Sequence, residues 1–183
     1  MFDYILDPAE IYRKSFATVR DEAELSGLSA EEADLAVRLI HSCGMPEIAG
    51  GLEFSQGAVA AGKAALQSGA TILADVEMVR HGIIRARLPA ENPVRCTLHN
   101  DGVREAASDN STTRSAAAVD LWGDALTGAV VAIGNAPTAL YRVLELIEGG
   151  AAPPAMIAAF PVGFVGAAES KEALARDGRV PFV

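Results

Sequence analysis

The 183 residues suit a single domain, and with half of them hydrophobic and only 5% aromatic they can build a substantial core from small side chains. A formal net charge of −9 argues against non-specific nucleic-acid binding, which needs a Lys/Arg surface to neutralise phosphates. No apolar run reaches the roughly 20 residues that span a bilayer, and Met1-Phe2-Asp3-Tyr4 lacks the basic and apolar regions of a signal peptide.

The first helix is announced by Asp7 as cap, Pro8 at the first position and Glu10 three residues after the cap. It is expected to run to about Ser26, with Gly27 as the stop. Ile11, Ser15, Val19 and Ala23 share one face, with Phe16 beside it, and Ser15 is the polar exception. A serine there can simply bond a backbone carbonyl one turn back. Ser29-Ala30-Glu31-Glu32 forms a capping box for a second helix that runs to His41 and ends at Gly44. His41 falls four residues after Val37, on the core edge of the last turn, where the helix dipole favours a cation. A lone histidine in that place is more often a C-terminal capping group than a catalyst.

Phe54-Ser55 opens a third helix, with Val59, Gly62 and Leu66 on one face and Gly69 at its end. Thr71-Ile72-Leu73-Ala74 is a buried strand. It runs into Asp75–Arg85, a mixture of acids, bases and apolar residues with no simple period. Val94–Leu98 is another short strand. Residues 99–112 are polar and form the expected mobile stretch. Thr112-Thr113-Arg114-Ser115 then starts a helix to about Leu126. Arg114 opposes the dipole there, which makes sense if it grips an anion, although a solvated surface Arg would look the same.

Two strand-loop-helix turns follow. Val130–Ile133 leads through Gly134-Asn135-Ala136-Pro137 into a helix, and Met156–Phe160 leads through Pro161–Gly166 into another. Buried parallel strands followed by helices read this way. Together they predict an open α/β sheet with a polar crevice at its carboxyl edge, where free helix N–H groups suit anions. Ordinary βα connections without a ligand share the pattern.

Much chemistry is excluded. The chain has no phosphate-binding Gly-x-x-x-x-Gly-Lys-Ser/Thr loop, no Gly-x-Gly-x-x-Gly after the first strand and no Gly-x-Ser-x-Gly elbow. Cys43 and Cys96 lie far apart, no His/Cys/carboxylate cluster has metal-ligand spacing, and a reducing cytoplasm is the expected setting. Of the three histidines, His99 sits in the polar stretch and His81 beside Gly82 at a turn, so His41 leads for a cofactor-free reaction that uses one general acid or base.

Six segments stand together and in order: Tyr12–Phe16, Arg38–Gly44, Asp75–Ile83, Thr113–Ala118, Ala132–Leu140 and Pro161–Lys171. In this combination the chain resembles the precorrin-8X methylmutase family of cobalamin biosynthesis over nearly its whole length. The resemblance implies a three-layer α/β/α sandwich with a flavodoxin-like parallel sheet in a single domain. It implies an isomerase that shifts a methyl group from C11 to C12 of a corrin precursor to give hydrogenobyrinate, with no cofactor, in a homodimer. A non-catalytic tetrapyrrole carrier and the cobalt-containing version of the reaction remain open.

By the same resemblance His41 is the proton donor and acceptor, and Ser15 and Arg114 contact the substrate. Met78, Val79, Phe160 and Val162 would line an apolar pocket for the ring. Asn135 and Gly163, at the two βα loops, would offer helix N-termini to its carboxylates, with Gly82 and Thr138 completing the site. The family usually carries Thr where Ile84 stands. It also continues beyond Val183, so a C-terminal tail is expected to be missing.

Overall fold

Asp7 accepts a hydrogen bond from the Ala9 N–H, and Pro8 occupies the first helical position, so α1 (Pro8–Glu22) starts where its signals lie. The computed structural model describes Phe2 and residues 4–183. The described chain divides into two compact units, Met1–Glu53 and Phe54–Val183.

In the first unit α1 ends four residues before the expected Ser26. Ala23 turns extended, which lets Leu25 pack beside Val19, Val37, Ile40 and Ala49. This tertiary contact overrides the helical pattern. The capping box of α2 (Ala30–Cys43) forms in full: Ser29 accepts from the Glu32 N–H while the Glu32 carboxylate accepts from the Ser29 N–H. Gly44 adopts the left-handed conformation, with φ 70°, and closes the helix on the Ile40 carbonyl. A 3-10 segment, Pro46–Gly51, follows.

In the second unit α3 (Ala58–Gln67) begins at Gly57, later than Phe54-Ser55, because Ser55 is engaged with the C-terminus: its N–H donates to the Phe182 carbonyl and its hydroxyl accepts from the Phe182 N–H. Four parallel strands, β1 (Ile72–Ala74), β2 (Val94–Arg95), β3 (Val130–Ile133) and β4 (Met156–Ala159), lie in the order β2-β1-β3-β4. Phe182 bridges Ile157 in parallel beyond β4, so the C-terminal residues take the next position. This is the flavodoxin-like order, with its switch point between β1 and β3. Side chains alternate across the sheet. Leu73, Val131, Ile133 and Ile157 enter one core with Leu140 and Val143, while Ile72 and Val130 enter another with Ala65 and Leu66 of α3. The sheet is therefore covered on both faces, as expected.

The remaining helices are α4 (Glu77–Gly82), α5 (Val103–Asp109), α6 (Arg114–Asp120), α7 (Pro137–Glu148) and α8 (Ala167–Asp177). Two expectations need correction. The polar 99–112 stretch holds α5, which buries Val103 and Ala107 against Ala117 and Ala118. Val103, Ala106 and Ala107 have the i, i+3, i+4 spacing that signals such a helix. The helix expected to reach Leu126 stops at Asp120 and gives way to a 3-10 turn at Gly123–Leu126, which lets Trp122 and Leu126 enter the main core.

Candidate active site

In the first unit the last turn of α2 carries His41 to α1. The Ser15 hydroxyl and His41 Nδ1 lie 2.7 Å apart, so the partner of Ser15 is this ring and not a carbonyl of its own helix. The Tyr12 and Phe16 ring centres stand 5.3 and 5.1 Å from the imidazole, and the Arg38 guanidinium lies over Phe16. His41 Nε2 has no hydrogen-bond partner among the described residues. Ser15 and His41 line a cleft of about 400 Å³ with Ile5, Ile11, Lys14 and Pro46.

In the second unit the sites expected from sequence gather at the carboxyl edge of the sheet. Asp75 directly follows β1 and is 2% exposed. Its carboxylate accepts from the N–H groups of Gly134, Asn135 and Ala136 at 3.0, 3.0 and 2.7 Å. The anion-binding loop predicted after β3 therefore exists, and an internal carboxylate fills it. This corrects the expected role of the Asn135 loop: the Gly134, Asn135 and Ala136 N–H groups are committed to Asp75, while the Asn135 side chain is exposed. Gly163 needs a similar correction. It has φ 124° and sits in an exposed loop, but α8 starts only after Gly166, so Gly163 presents no helix N-terminus.

Thr138, in the first turn of α7, places its hydroxyl 2.7 Å from that of Thr113, which in turn caps α6 by accepting from the Ala116 N–H. Arg114 is the next residue, exposed and without a hydrogen-bond or ion-pair partner among the described residues. Val79 packs over Gly134 so closely that a Cβ there would come within 2.5 Å of Val79 Cγ2. Met78, Val162, Phe164 and Val165 are strongly exposed, and the Val162 N–H donates to the Asn135 carbonyl, tying the two loops together. Phe160 is half-buried, and Gly82 ends α4 on the surface. Sequence reasoning assigned no role to Asp75 or Thr113. The available signal was an acid at the first position past a buried strand, where the switch-point crevice opens.

A second cleft beside β2 contains Glu77, Arg80, Arg95, Cys96 and Trp122. The hydrogen-bonded Arg80 guanidinium holds the Glu77 carboxyl below its usual range, and burial pushes the Cys96 thiol up. Cys43 is exposed. Because a raised value leaves less thiolate at any given pH, iodoacetamide at pH 8 is expected to alkylate Cys43 well before Cys96. Peptide mapping by mass spectrometry checks this, and equal rates would contradict the partial burial of the Cys96 thiol. Among the described residues no group of three His, Cys, Asp or Glu side chains is arranged to hold a metal ion, and no helix is long and apolar enough to cross a membrane.

The precorrin-8X methylmutase family profile matches residues 10–183. The chain belongs to this family. It is 56% identical to the precorrin-8X methylmutase of Pseudomonas aeruginosa over 184 aligned residues, covering 100% of this chain and 88% of that protein. A Sinorhizobium precorrin-8X methylmutase is 55% identical over 99% of this chain and 87% of its own length. The cobalt-precorrin-8 methylmutase of Methanothermobacter thermautotrophicus is 42% identical over 90% of this chain and 78% of its own length. A crystal structure of the Thermus thermophilus precorrin-8X methylmutase superposes with a TM-score of 0.84 at 40% identity, covering 95% of this chain and 84% of that one. The resemblance read from the six motifs is thus borne out, as is the α/β fold that a precorrin-8X methylmutase was expected to have.

Proposed function

We propose that this protein is an isomerase of cobalamin biosynthesis that moves a methyl group from C11 to C12 of precorrin-8X to give hydrogenobyrinate. One observation carries the reading: the match to relatives named precorrin-8X methylmutase runs through both units at 55–56% identity. His41 Nε2 lends a proton to the ring system and recovers it after the shift, so substrate and product keep the same atoms. Arg114 pairs with a peripheral carboxylate. Met78, Val79 and Val162 meet the apolar ring, and the Asn135 and Thr138 side chains and the surfaces of Gly82 and Gly163 border it. The metal-free substrate is favoured over the cobalt form because the relatives named for cobalt-precorrin-8 stand at 42% identity and below.

Incubation with precorrin-8X, followed by visible spectroscopy, tests the reading. The spectrum is expected to shift to that of the product. A ring that binds with an unchanged spectrum would make the protein a carrier. Faster conversion of the cobalt-containing precursor would reverse the choice of substrate.

Arg114 opens α6, where a cation is slightly unfavourable, and it has no partner among the described residues to justify it. Arg114→Ala is expected to weaken substrate binding by about 2 kcal/mol if the pair is desolvated. An unchanged dissociation constant at low salt would reduce Arg114 to a surface charge.

The active protein is read as a cytoplasmic homodimer. Support comes from the size of a tetrapyrrole, which exceeds the drug-sized ligands already about 70–90% buried in their pockets. It comes too from Phe164 and Val165, which are 107% and 88% exposed in one loop. Two-fold dimers are the commonest closed assembly. Light scattering over a dilution series is expected to show a dimer; a monomer that binds the ring at full affinity would remove this part of the proposal.

A further inference from the structure

We propose that the cleft beside β2 is a second ligand site, one that takes a small monocarboxylate through Arg95 and Asn100. The cleft opens at the carboxyl ends of β1 and β2, holds about 480 Å³ and has Leu121 and Trp122 in its wall. Its charged lining is Glu77, Arg80 and Arg95, two cations against one anion, on a chain of formal net charge −9. Val79 packs over Gly134, so α4 turns one side to the loop after β3 and another, with Glu77 and Arg80, to this cleft.

The hydrogen bonds around the cleft decide what it recognises. Arg80 Nε donates to the Glu77 carboxylate at 2.5 Å, so these two charges neutralise each other. The Thr97 hydroxyl is engaged in both directions. It donates to the Ala118 carbonyl at 2.6 Å and accepts from Trp122 Nε1–H at 3.1 Å, which also fixes the indole in the wall. The Arg95 guanidinium and the Asn100 amide remain, exposed and without a partner among the described residues. A guanidinium offers paired N–H groups that match the two oxygens of a carboxylate, and the amide adds a further donor. One unpaired cation suits a monoanion, whereas a phosphate dianion would meet the Glu77 carboxylate with a single counter-charge. Leu121, 50% exposed, gives apolar surface to a short carbon body. The carboxylate belongs either to a free small acid or to a side arm of the tetrapyrrole, and only the second source rests on the methyl-shift reading.

Trp122 is the one tryptophan of the chain, so its fluorescence reports on this cleft. Butyrate is titrated into the full chain with chloride holding the ionic strength constant, and the Arg95 Nε signal is followed in parallel by nitrogen NMR of arginine-labelled protein. A saturable change is expected in at least one of the two readouts. Arg95→Gln is expected to weaken butyrate binding by about 10-fold or more, the loss of a hydrogen bond to a charged group. Arg104→Gln, which removes an exposed arginine of α5 outside the cleft, should leave it unchanged. Inorganic phosphate should bind more weakly than butyrate. Saturation in neither readout, equal affinity in the wild type and Arg95→Gln, or tighter binding of phosphate overturns the proposal. The KM for precorrin-8X in rising butyrate separates the two sources: competition that is lost in Arg95→Gln identifies an arm of the ring, and a KM indifferent to butyrate identifies a free acid. The titrations need no turnover, so wild-type protein inactive on precorrin-8X would be seen as a separate failure, that of the methyl-shift reading.

Discussion

His41→Ala is expected to lower turnover of precorrin-8X by about 100-fold or more, the loss of a general acid, which corresponds to about 2.7 kcal/mol of transition-state stabilisation. Ring binding should persist, since the apolar and carboxylate contacts assigned to the second unit are untouched. The fold should tolerate the change as well. His41 is half-buried at the end of α2, and Gly44 rather than the imidazole closes that helix. The Ser15 hydroxyl loses its partner but lines the open cleft, where water can replace it. A single-turnover assay with stoichiometric enzyme separates chemistry from product release. Near-normal turnover in His41→Ala would falsify the assignment of His41 as the proton donor.

Asp75→Ala is expected to have the largest effect on stability. The substitution removes a carboxylate that is 2% exposed and leaves the N–H groups of Gly134, Asn135 and Ala136 without their acceptor. Stranding a buried donor costs about 1–3 kcal/mol before relaxation; the Ala136 N–H is buried, while those of Gly134 and Asn135 are part-buried and lose less. A total of about 3 kcal/mol or more follows, which at this chain length lowers the melting temperature by roughly 6–12 °C. Asp75→Asn should fall between, because one amide oxygen still accepts while the NH2 group faces a donor. Thermal melts followed by circular dichroism decide the matter. A melting temperature within a degree of the wild type would show that the loop after β3 does not depend on this clamp.

The clamp also bears on recognition. In an open α/β sheet, ligands bind at the switch point outside the carboxyl ends of the strands, and anions are commonly held there by loop N–H groups. Here the loop N–H groups serve Asp75. Under the proposed reading an anionic ligand is met by side chains such as Arg114 and Asn135, against an overall charge of −9. The absent phosphate loop in the sequence and the filled anion position in the fold point the same way.

Local features were legible in the sequence because their physics is local. Asp7-Pro8, the Ser29–Glu32 box and Gly44 act within one turn of the helices they bound, and those boundaries appeared where expected. The apolar runs of β3 and β4 and the Gly-Pro loops after them specify strand, turn and helix over a dozen residues, and the six ordered motifs identified the family. The partners that build the site were not legible, because they are distant in the chain. Ser15 meets His41 across 26 residues, Thr113 meets Thr138 across 25, and Asp75 meets the loop of Gly134–Ala136 across about sixty. Periodicity ranks a serine on a helix face as a self-satisfied hydroxyl and an acid after a strand as an ordinary loop residue. Tertiary structure alone decided that the serine meets the histidine and that the acid fills the anion site. A hydrogen bond is worth little until packing has brought its two groups together, and a strand-loop-helix pattern carries no record of which distant carboxylate will occupy the donors it exposes.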